Sequence, residues 1–365
     1  MKFSPYRNIF RKIKALSSLF MNIVSPSELI YFVEAERWAV FWDGFYITQN
    51  LTNLIKASLR VTTKGLRDGK ARIIHYGSIN TYKPPTNFKK TKEIVTYYHV
   101  VPQDTRTIQS LKEHIDEIDL IHTSCNITKE ALVQKDIDGS KIKVIPLGVD
   151  HKVFNEYPEK SLLRKKYGLP LDKFIIGSFQ KDGVGWSEGN EPKLIKGPDV
   201  LIDVIRQLAI NNEIFILLTG PARGYVTNKF EEYGIPYRHF YIKDYFKINT
   251  FYNMIDAYLI TSRVEGGPKS LLEAMANKVP VVSTKVGMSY DLINDGKNGF
   301  ITEVEDVTSL VKSIETLIKE KDLRDKVRIN GYLTSLNYNW EKVAKIYYDE
   351  LYALFSNINS KINRK

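Results

Sequence analysis

EGGPKSLLE, residues 265–273, lies between two short apolar runs, AYLITS at 257–262 and VPVVST at 279–284. Each run is rich in aliphatic and β-branched residues and predicts a strand. Pro268 suits the first turn of a helix, where its missing N–H is no loss, so we expect a helix over residues 269–277. A strand, a helix and a second strand in close succession indicate a parallel sheet covered by helices, and therefore an α/β protein.

The same alternation extends along the 365-residue chain. The first half contains predicted strands at 29–33, 71–76, 93–101, 119–123 and 141–146 and predicted helices at 47–59 and 105–115. The second half begins with predicted strands at 174–179 and 214–220, separated by a predicted helix at 198–209. Residues 148–170 are polar and punctuated by Pro and Gly, as expected of a linker. The sequence predicts two doubly wound α/β domains.

The backbone of EGGPKSLLE suits the binding of an anion. The stretch follows a parallel strand, and open α/β sheets bind ligands at the carboxyl ends of their strands. Gly266 and Gly267 allow the backbone to approach another molecule closely. The helix start then offers N–H groups to a phosphate, those of Lys269, Ser270 and Leu271.

The two glutamates at the ends of this stretch suit polyols. Glu265 and Glu273 can each accept two hydrogen bonds and so clamp a vicinal diol. A phosphate flanked by two polyols is a nucleotide sugar. A capped helix with two surface glutamates could have the same sequence, so these residues alone do not distinguish a nucleotide-sugar site from a surface helix.

Five ordered segments resemble the retaining GT-B glycosyltransferases of family four, the glycosyl transferases group 1. They are KVIPLGVDHKVF at 143–154, IKGPDVLIDVI at 195–205, FILLTG at 215–220, EGGPKSLLEAMANKVPVVST at 265–284 and GMSYDLINDGKNGF at 287–300. The resemblance is strong from residue 94 onward. It implies two Rossmann-like domains facing a cleft, at 29–158 and 159–338, preceded by residues 1–28 and followed by a helix within 339–365 that returns to the first domain.

The resemblance implies specific roles on the donor side. Glu265 would contact the transferred sugar and Glu273 the ribose of the nucleotide. Lys196 would neutralise the diphosphate, which the glycines 266 and 267 and the helix start at Lys269 and Ser270 would hold. The family pairs this lysine with an arginine, but Ser178 stands at that position, and Lys181 is the nearest replacement.

In the first domain, the resemblance assigns His99 to the reaction centre. Asp43 and Gly44, in the FWDGF stretch, match the family's glycine-containing loop on the acceptor side. We therefore expect transfer of a sugar to a hydroxyl acceptor with retention of configuration, without a metal ion or a separate cofactor. A relative that isomerises or hydrolyses a nucleotide sugar is the alternative enzyme.

A DxD motif and the basic composition suggest two other functions. Asp136 and Asp138 spell the DxD of metal-dependent glycosyltransferases, but they lie in a polar KDIDGSK segment typical of a solvated turn. A basic nucleic-acid-binding protein is the alternative from another class. That alternative lacks a recognisable motif and leaves Glu265 and Glu273 unexplained, so nucleic acid is not expected as a partner.

The net charge of +11 lies at one end of the chain. Residues 1–92 contain 16 Lys and Arg against 5 Asp and Glu, and the remaining residues contain 37 of each sign. Residues 3–23 also show an apolar stripe at helical spacing opposite basic residues. An anionic membrane surface, packing on the chain's own domain and a transit peptide all fit this pattern. With a single cysteine, Cys125, and no run long enough to cross a bilayer, we expect a cytoplasmic enzyme peripheral to the membrane.

Overall fold

The computed structural model describes residues 27–34, 39–61, 71–84, 91–101 and 105–355. These residues form two parallel sheets of six strands each, both flanked by helices. We call the first sheet with its helices the first lobe, and the second sheet with its helices the second lobe. The predicted α/β architecture of two doubly wound sheets is confirmed.

The first lobe has the spatial strand order β2-β1-β3-β4-β5-β6. Strands β1 to β6 are Leu29–Val33, Ala57–Val61, Ile73–Tyr76, Lys92–Thr96, Leu120–Thr123 and Ile142–Val144. Among the described residues its α-helices are α1 Ala39–Asn50, α2 Thr105–Glu113 and α3 Asn126–Val133. Every pairing is parallel, so the carboxyl ends of these strands meet at one edge.

The second lobe has the order β9-β8-β7-β10-β11-β12, which is the 3-2-1-4-5-6 order of dinucleotide-binding folds. Strands β7 to β12 are Phe174–Phe179, Ile214–Thr219, Tyr237–Phe240, Ala257–Ile260, Val281–Thr284 and Phe300–Thr302. Its α-helices are α4 Lys160–Lys166, α5 Pro198–Asn211, α6 Gly224–Glu232, α7 Ile248–Tyr252, α8 Lys269–Ala276, α9 Gly287–Leu292, α10 Val307–Lys319 and α11 Lys321–Ser335. The order of strands reverses between β7 and β10.

The apolar pattern explains these elements. All five residues of β1, LIYFV, are buried, because helices cover both faces of a parallel sheet. Helix α10 is amphipathic instead: Leu310, Ile314 and Leu317 recur at helical spacing and are buried. Each such buried aliphatic side chain contributes about 1.5–3 kcal/mol to folding.

The helix predicted at 47–59 is wrong. The helix in this region is α1, which begins at Ala39 and ends at Asn50, and residues 57–61 form the edge strand β2. Only Ser58 of β2 is buried, so the strand carries no clear apolar alternation. The sequence also does not predict β9 and β12, which are four and three residues long and partly exposed.

The C-terminal helix returns to the first lobe, as expected. Helix α12, Trp340–Tyr347, continues into a π-helical turn, Tyr348–Tyr352. Trp340 stacks on Tyr46 of α1 with 5.4 Å between the ring centroids. Val149 N donates to Tyr338 O at 2.8 Å, so the two segments that pass between the lobes run side by side.

No helix among the described residues is both long enough and apolar enough to cross a bilayer. The apolar stripe predicted at residues 3–23 lies outside the described residues. The domain boundaries at residues 28, 158 and 338 stay predictions.

Candidate functional site

The site lies where the strand order of the second sheet reverses. Strands β7 and β10 are neighbours, although β8 and β9 separate them in the chain. Such a reversal opens a crevice at the carboxyl ends of the strands, where doubly wound sheets bind their ligands. The segment after β7 leads to Lys196, and the segment after β10 contains EGGPKSLLE.

Lys196 and Glu265 form an ion pair in this crevice, with 2.6 Å between Lys196 Nζ and Glu265 Oε1. The Ser262 hydroxyl donates to the same carboxylate oxygen at 2.9 Å. Gly197 allows this approach. Its φ of 60° is left-handed, and a Cβ there would collide with the Thr261 carbonyl oxygen, so only glycine fits.

His99 reaches the same place from the first lobe. It lies just after β4, is half-buried, and is close enough for its charge to act on Glu265. Burial tends to raise the pKa of Glu265, but Lys196, Ser262 and His99 together hold it below its ordinary value. The neighbouring Tyr98 carbonyl packs so tightly on Gly266 that a Cβ on Gly266 would collide with it. The structure thus brings the two predicted catalytic residues together, with Glu265 ionised at neutral pH.

Two more lysines surround this ion pair. Burial lowers the pKa of Lys193, and the positive charges of Lys196 and Lys181 lower it further, whereas Glu265 opposes the shift. Lys193 N donates to Asp182 O at 2.7 Å, and the Gln180 side-chain amide donates to Lys196 O at 3.2 Å, so these segments lie side by side. We call Lys181, Lys193 and Lys196 the lysine cluster. Sequence reasoning missed Lys193, although its spacing of three residues from Lys196 in KLIK was a usable signal.

The position of the family arginine is filled differently. Ser178 is buried, and the Arg223 guanidinium donates to its carbonyl at 2.7 Å and to its hydroxyl at 3.2 Å. Arg223 Nε also lies 3.0 Å from Asp182 Oδ1, an ion pair without an aligned hydrogen bond. Both charged side chains are completely buried. Arg223 therefore holds the segment after β7 in place, and its guanidinium is not exposed to a ligand.

The start of α8 differs from the prediction in one respect: Pro268 is the N-cap and not a residue of the first turn. No side chain caps the first N–H groups. Gly267 packs against Leu147 of the first lobe, and Ser270 lies in hydrogen-bond contact with Tyr258. The Lys269 side chain points to the first lobe, where Nζ pairs with Asp43 Oδ1 at 2.6 Å.

Asp43 and Gly44 lie within α1, so the loop that the resemblance implied for FWDGF is wrong. Asp43 is 1% exposed, accepts from the Tyr98 hydroxyl at 3.0 Å, and forms with Lys269 a buried ion pair between the lobes. Gly44 is a packing residue, because a Cβ there would lie 2.8 Å from Leu59 Cδ1 and the Tyr31 ring. Sequence reasoning did not predict this link between the predicted acceptor and donor sides.

Glu273 is bonded to two tyrosines and not to the lysine cluster. Its carboxylate is 5% exposed and accepts from the hydroxyls of Tyr245 and Tyr252, the latter at 2.9 Å. Burial raises the pKa of Glu273, whereas Lys269 and the two tyrosines oppose that shift. The predicted ribose partner is thus already hydrogen-bonded on both oxygens within the protein.

The DxD pair occupies a surface turn. Asp136 has a φ of 62° and pairs with Lys112 at 3.2 Å, and Asp138 caps the short helix Gly139–Lys141. Across the described part of the chain, no group of three or more His, Cys, Asp or Glu side chains is placed to hold a metal ion.

Residues 191–334 match the family model described as Glycosyl transferases group 1. Over this segment the chain is similar to the glycosyl transferases group 1 family. The matched residues include Lys193, Lys196, Glu265 and all of α8.

Individual glycosyltransferases resemble about half of the chain. An uncharacterized glycosyltransferase of Methanocaldococcus jannaschii is 30% identical over 161 residues, 42% of this chain and 44% of the relative. The lipopolysaccharide core biosynthesis mannosyltransferase LpsB of Rhizobium meliloti is 26% identical over 213 residues, 55% of this chain and 58% of the relative. These matches therefore span about half the length of each relative.

Solved glycosyltransferases share the fold over nearly the whole chain. Anabaena HepE, solved in complex with UDP-glucose, superposes with a TM-score of 0.74 at 15% identity. The superposition covers 90% of this chain and 100% of that chain. This likeness confirms the GT-B architecture.

Proposed function

We propose that this glycosyltransferase moves a sugar from a nucleotide-diphosphate sugar to a hydroxyl acceptor, with retention of anomeric configuration and without a metal ion. The observation that supports this most is the Lys196–Glu265 pair, set in the lysine cluster at the strand reversal and facing His99. Cations for a diphosphate and a carboxylate for sugar hydroxyls thus lie within one hydrogen bond of each other.

Donor binding would exchange the partners of this pair. A diphosphate placed between the lysine cluster and the start of α8 competes with Glu265 for Lys196 Nζ. Glu265 Oε1 then becomes available to a hydroxyl of the sugar, beside His99. Because HepE was solved with UDP-glucose, we propose a UDP-sugar as the donor.

The nucleoside end would involve Glu273 as the resemblance implies. Its two oxygens are held by Tyr245 and Tyr252, so a ribose diol must replace at least one tyrosine hydroxyl. Tyr245 stacks on Trp42 of α1, with 5.4 Å between the ring centroids. Filling the ribose site would therefore act on a contact between the lobes.

In the reaction, the acceptor oxygen forms a bond to the anomeric carbon on the face that the diphosphate leaves. The bond between that carbon and the diphosphate oxygen breaks, and its electron pair stays on the diphosphate. The hydroxyl proton passes to a phosphate oxygen. Lys196, Lys193 and Lys181 stabilise the charge that develops on the leaving group. His99 and Glu265 orient the sugar at the reacting carbon.

The acceptor and the location are proposed from a relative and from the distribution of charge. LpsB acts in lipopolysaccharide core biosynthesis, which is consistent with a lipid-linked or surface-polysaccharide acceptor. The excess positive charge of residues 1–92 suits an anionic membrane surface. We propose a cytoplasmic enzyme peripheral to the membrane.

Product analysis tests this proposal. Purified protein is incubated with UDP-, GDP- and ADP-sugars and mixed cell-envelope glycans in excess EDTA, and released nucleotide and new glycosidic bonds are followed by NMR. We expect nucleoside diphosphate release coupled to a glycoside of the donor's configuration. An inverted product would contradict retention, and complete loss of activity in EDTA that manganese restores would contradict metal independence. Free sugar or an epimerised nucleotide sugar as the sole product would support the alternative enzyme.

A further inference from the structure

Residues 183–192 form a hairpin between β7 and Lys193. Its strands pair through Gly183 and Pro192, and Val184 N donates to Glu191 O at 2.9 Å. The hairpin is also bonded to the turn that begins α6: Gly224 N donates to Glu188 O at 2.7 Å, and Tyr225 N donates to Gly189 O at 2.9 Å. The buried Asp182–Arg223 ion pair lies at its base. The hairpin is thus bonded to the second lobe along its length.

This hairpin presents a tryptophan to solvent. Trp186 is 60% exposed, and Lys181 Nζ lies 3.9 Å from the centroid of its ring. Holding a large aromatic ring in water is unfavourable, and such a ring on an ordered loop beside a cleft is typical of a binding site. Because Lys181 belongs to the lysine cluster, Trp186 adjoins the proposed diphosphate site.

The surroundings indicate which part of a substrate reaches the ring. The segment that follows the hairpin is bonded to the residues just before Glu265, the proposed partner of the transferred sugar: Arg263 N and Val264 N donate to Ile195 O at 2.9 and 3.1 Å. Glu273, the proposed ribose partner, is bonded to Tyr245 and Tyr252, and neither belongs to the hairpin. The hairpin therefore lies at the sugar end of the donor, where the acceptor must also arrive.

We propose that Trp186 is the stacking platform of an acceptor subsite that binds a pyranose ring. The apolar C–H face of a pyranose packs on an indole, and Lys181 can donate hydrogen bonds to the hydroxyls at the ring's edge. This inference rests on the proposed function, because it takes the lysine cluster as the diphosphate site.

Saturation-transfer NMR tests the subsite on the full chain in the presence of UDP. The probes are maltose, cellobiose, lactose and N,N′-diacetylchitobiose. We expect at least one of them to bind the wild type. Its affinity should fall about fivefold to tenfold in Trp186→Ala and stay near the wild-type value in Trp186→Phe. Tyr233→Ala is the matched control, because Tyr233 is an exposed ring under Arg206 and Lys229 at the opposite end of α6.

Calorimetric titration with UDP separates this inference from the proposed function. We expect Trp186→Ala to bind UDP as the wild type does. A loss of UDP affinity with unchanged saccharide binding would assign Trp186 to the nucleoside and overturn the inference. The inference would also be overturned if Trp186→Ala bound the saccharides as well as the wild type does. Absence of binding by all four saccharides to the wild type would overturn it too. If the wild type fails to bind UDP but binds a saccharide through Trp186, the donor site fails and the pyranose platform stands.

Discussion

Glu265 and the donor would share one partner, Lys196. The Glu265 carboxylate accepts from Lys196 at 2.6 Å and from Ser262 at 2.9 Å. We expect Glu265→Gln to bind UDP at least as tightly as the wild type, because the variant no longer competes for Lys196. Binding of the UDP-sugar that supports turnover should weaken by about 1.5–3 kcal/mol, the worth of a hydrogen bond to a charged group.

Titration calorimetry measures both affinities, with Glu303→Gln as the control, since Glu303 pairs with Lys285 at an exposed site. Equal losses for UDP and for the UDP-sugar would show that Glu265 does not contact the sugar.

The Asp43–Lys269 pair joins α1 to α8 with side chains 1% and 9% exposed. Removing one partner leaves a buried charge alone, so Asp43→Asn and Lys269→Met should each reduce the free energy of unfolding by about 3–5 kcal/mol. The double variant should lose less than the sum of the two, by about 1–3 kcal/mol. Urea unfolding of the four proteins measures this coupling, and additive losses would mean that the pair does not interact.

Local motifs made part of the site predictable. Glu265, Lys196 and Gly266 lie in short sequence motifs that determine the backbone conformation, so the sequence indicates their place. Lys193 could have been found from its spacing. The buried Asp43–Lys269 pair could not, because α1 and α8 meet only when both lobes are folded and packed together.

At the scale of elements, buried histidines tie the C-terminal helix to the first sheet. His122 Nε2 donates to the Ile145 carbonyl at 2.9 Å, which makes Nδ1 an acceptor for the Thr96 hydroxyl at 3.0 Å. Thr96 then accepts from His75 Nε2 at 2.8 Å, and His75 Nδ1 accepts from the Tyr352 hydroxyl at 2.6 Å. One carbonyl therefore sets the direction of the whole chain of bonds, and both imidazoles are neutral.

This network predicts a loss of stability in acid. Burial lowers the pKa of His122 from 6.5 to about 4, and burial together with His122 lowers the pKa of His75. Below pH 6.5 His122 takes up a proton in the unfolded chain, whereas in the folded chain it stays neutral until about pH 4. The stabilisation is therefore present above pH 6.5 and is lost as the pH falls from 6.5 to about 4. His122 alone accounts for roughly 3 kcal/mol.

Urea unfolding at pH 7.5, 6, 5 and 4.5 measures this effect. We expect His122→Gln to be less stable than the wild type at pH 7.5 but to have a shallower pH dependence. His114→Gln, which changes a histidine on the surface turn after α2, is the control. Identical pH dependence in the wild type and His122→Gln would contradict the prediction.

Apolar runs predicted β1, β7, β8, β10 and β11 because these strands are buried on both faces. They did not predict β2, β9 and β12, since edge and short strands carry little apolar signal. The helix predicted at 47–59 failed for a related reason. Helix α1 starts at residue 39, and helix propensity alone does not show where the helix ends and the edge strand β2 begins.

At the scale of the molecule, the charge lies at one end. The excess of 11 positive charges in residues 1–92 predicts reversible binding to anionic vesicles, with each basic residue near the surface adding about 1 kcal/mol. We expect flotation with vesicles that contain phosphatidylglycerol, and loss of flotation at raised salt or after deletion of residues 1–24. Neutral vesicles are the control. Protein that stays in the soluble fraction at every salt concentration would contradict membrane binding.

The central claim is that the lysine cluster at the strand reversal holds the diphosphate of a nucleotide sugar. Titration calorimetry with UDP on the wild type, Lys196→Ala and Lys285→Ala tests it most directly, because Lys285 forms an exposed pair with Glu303 outside the lysine cluster. We predict that UDP binds the wild type and Lys285→Ala equally and binds Lys196→Ala more weakly by about 1.5–3 kcal/mol. Wild-type affinity in folded Lys196→Ala would contradict the claim.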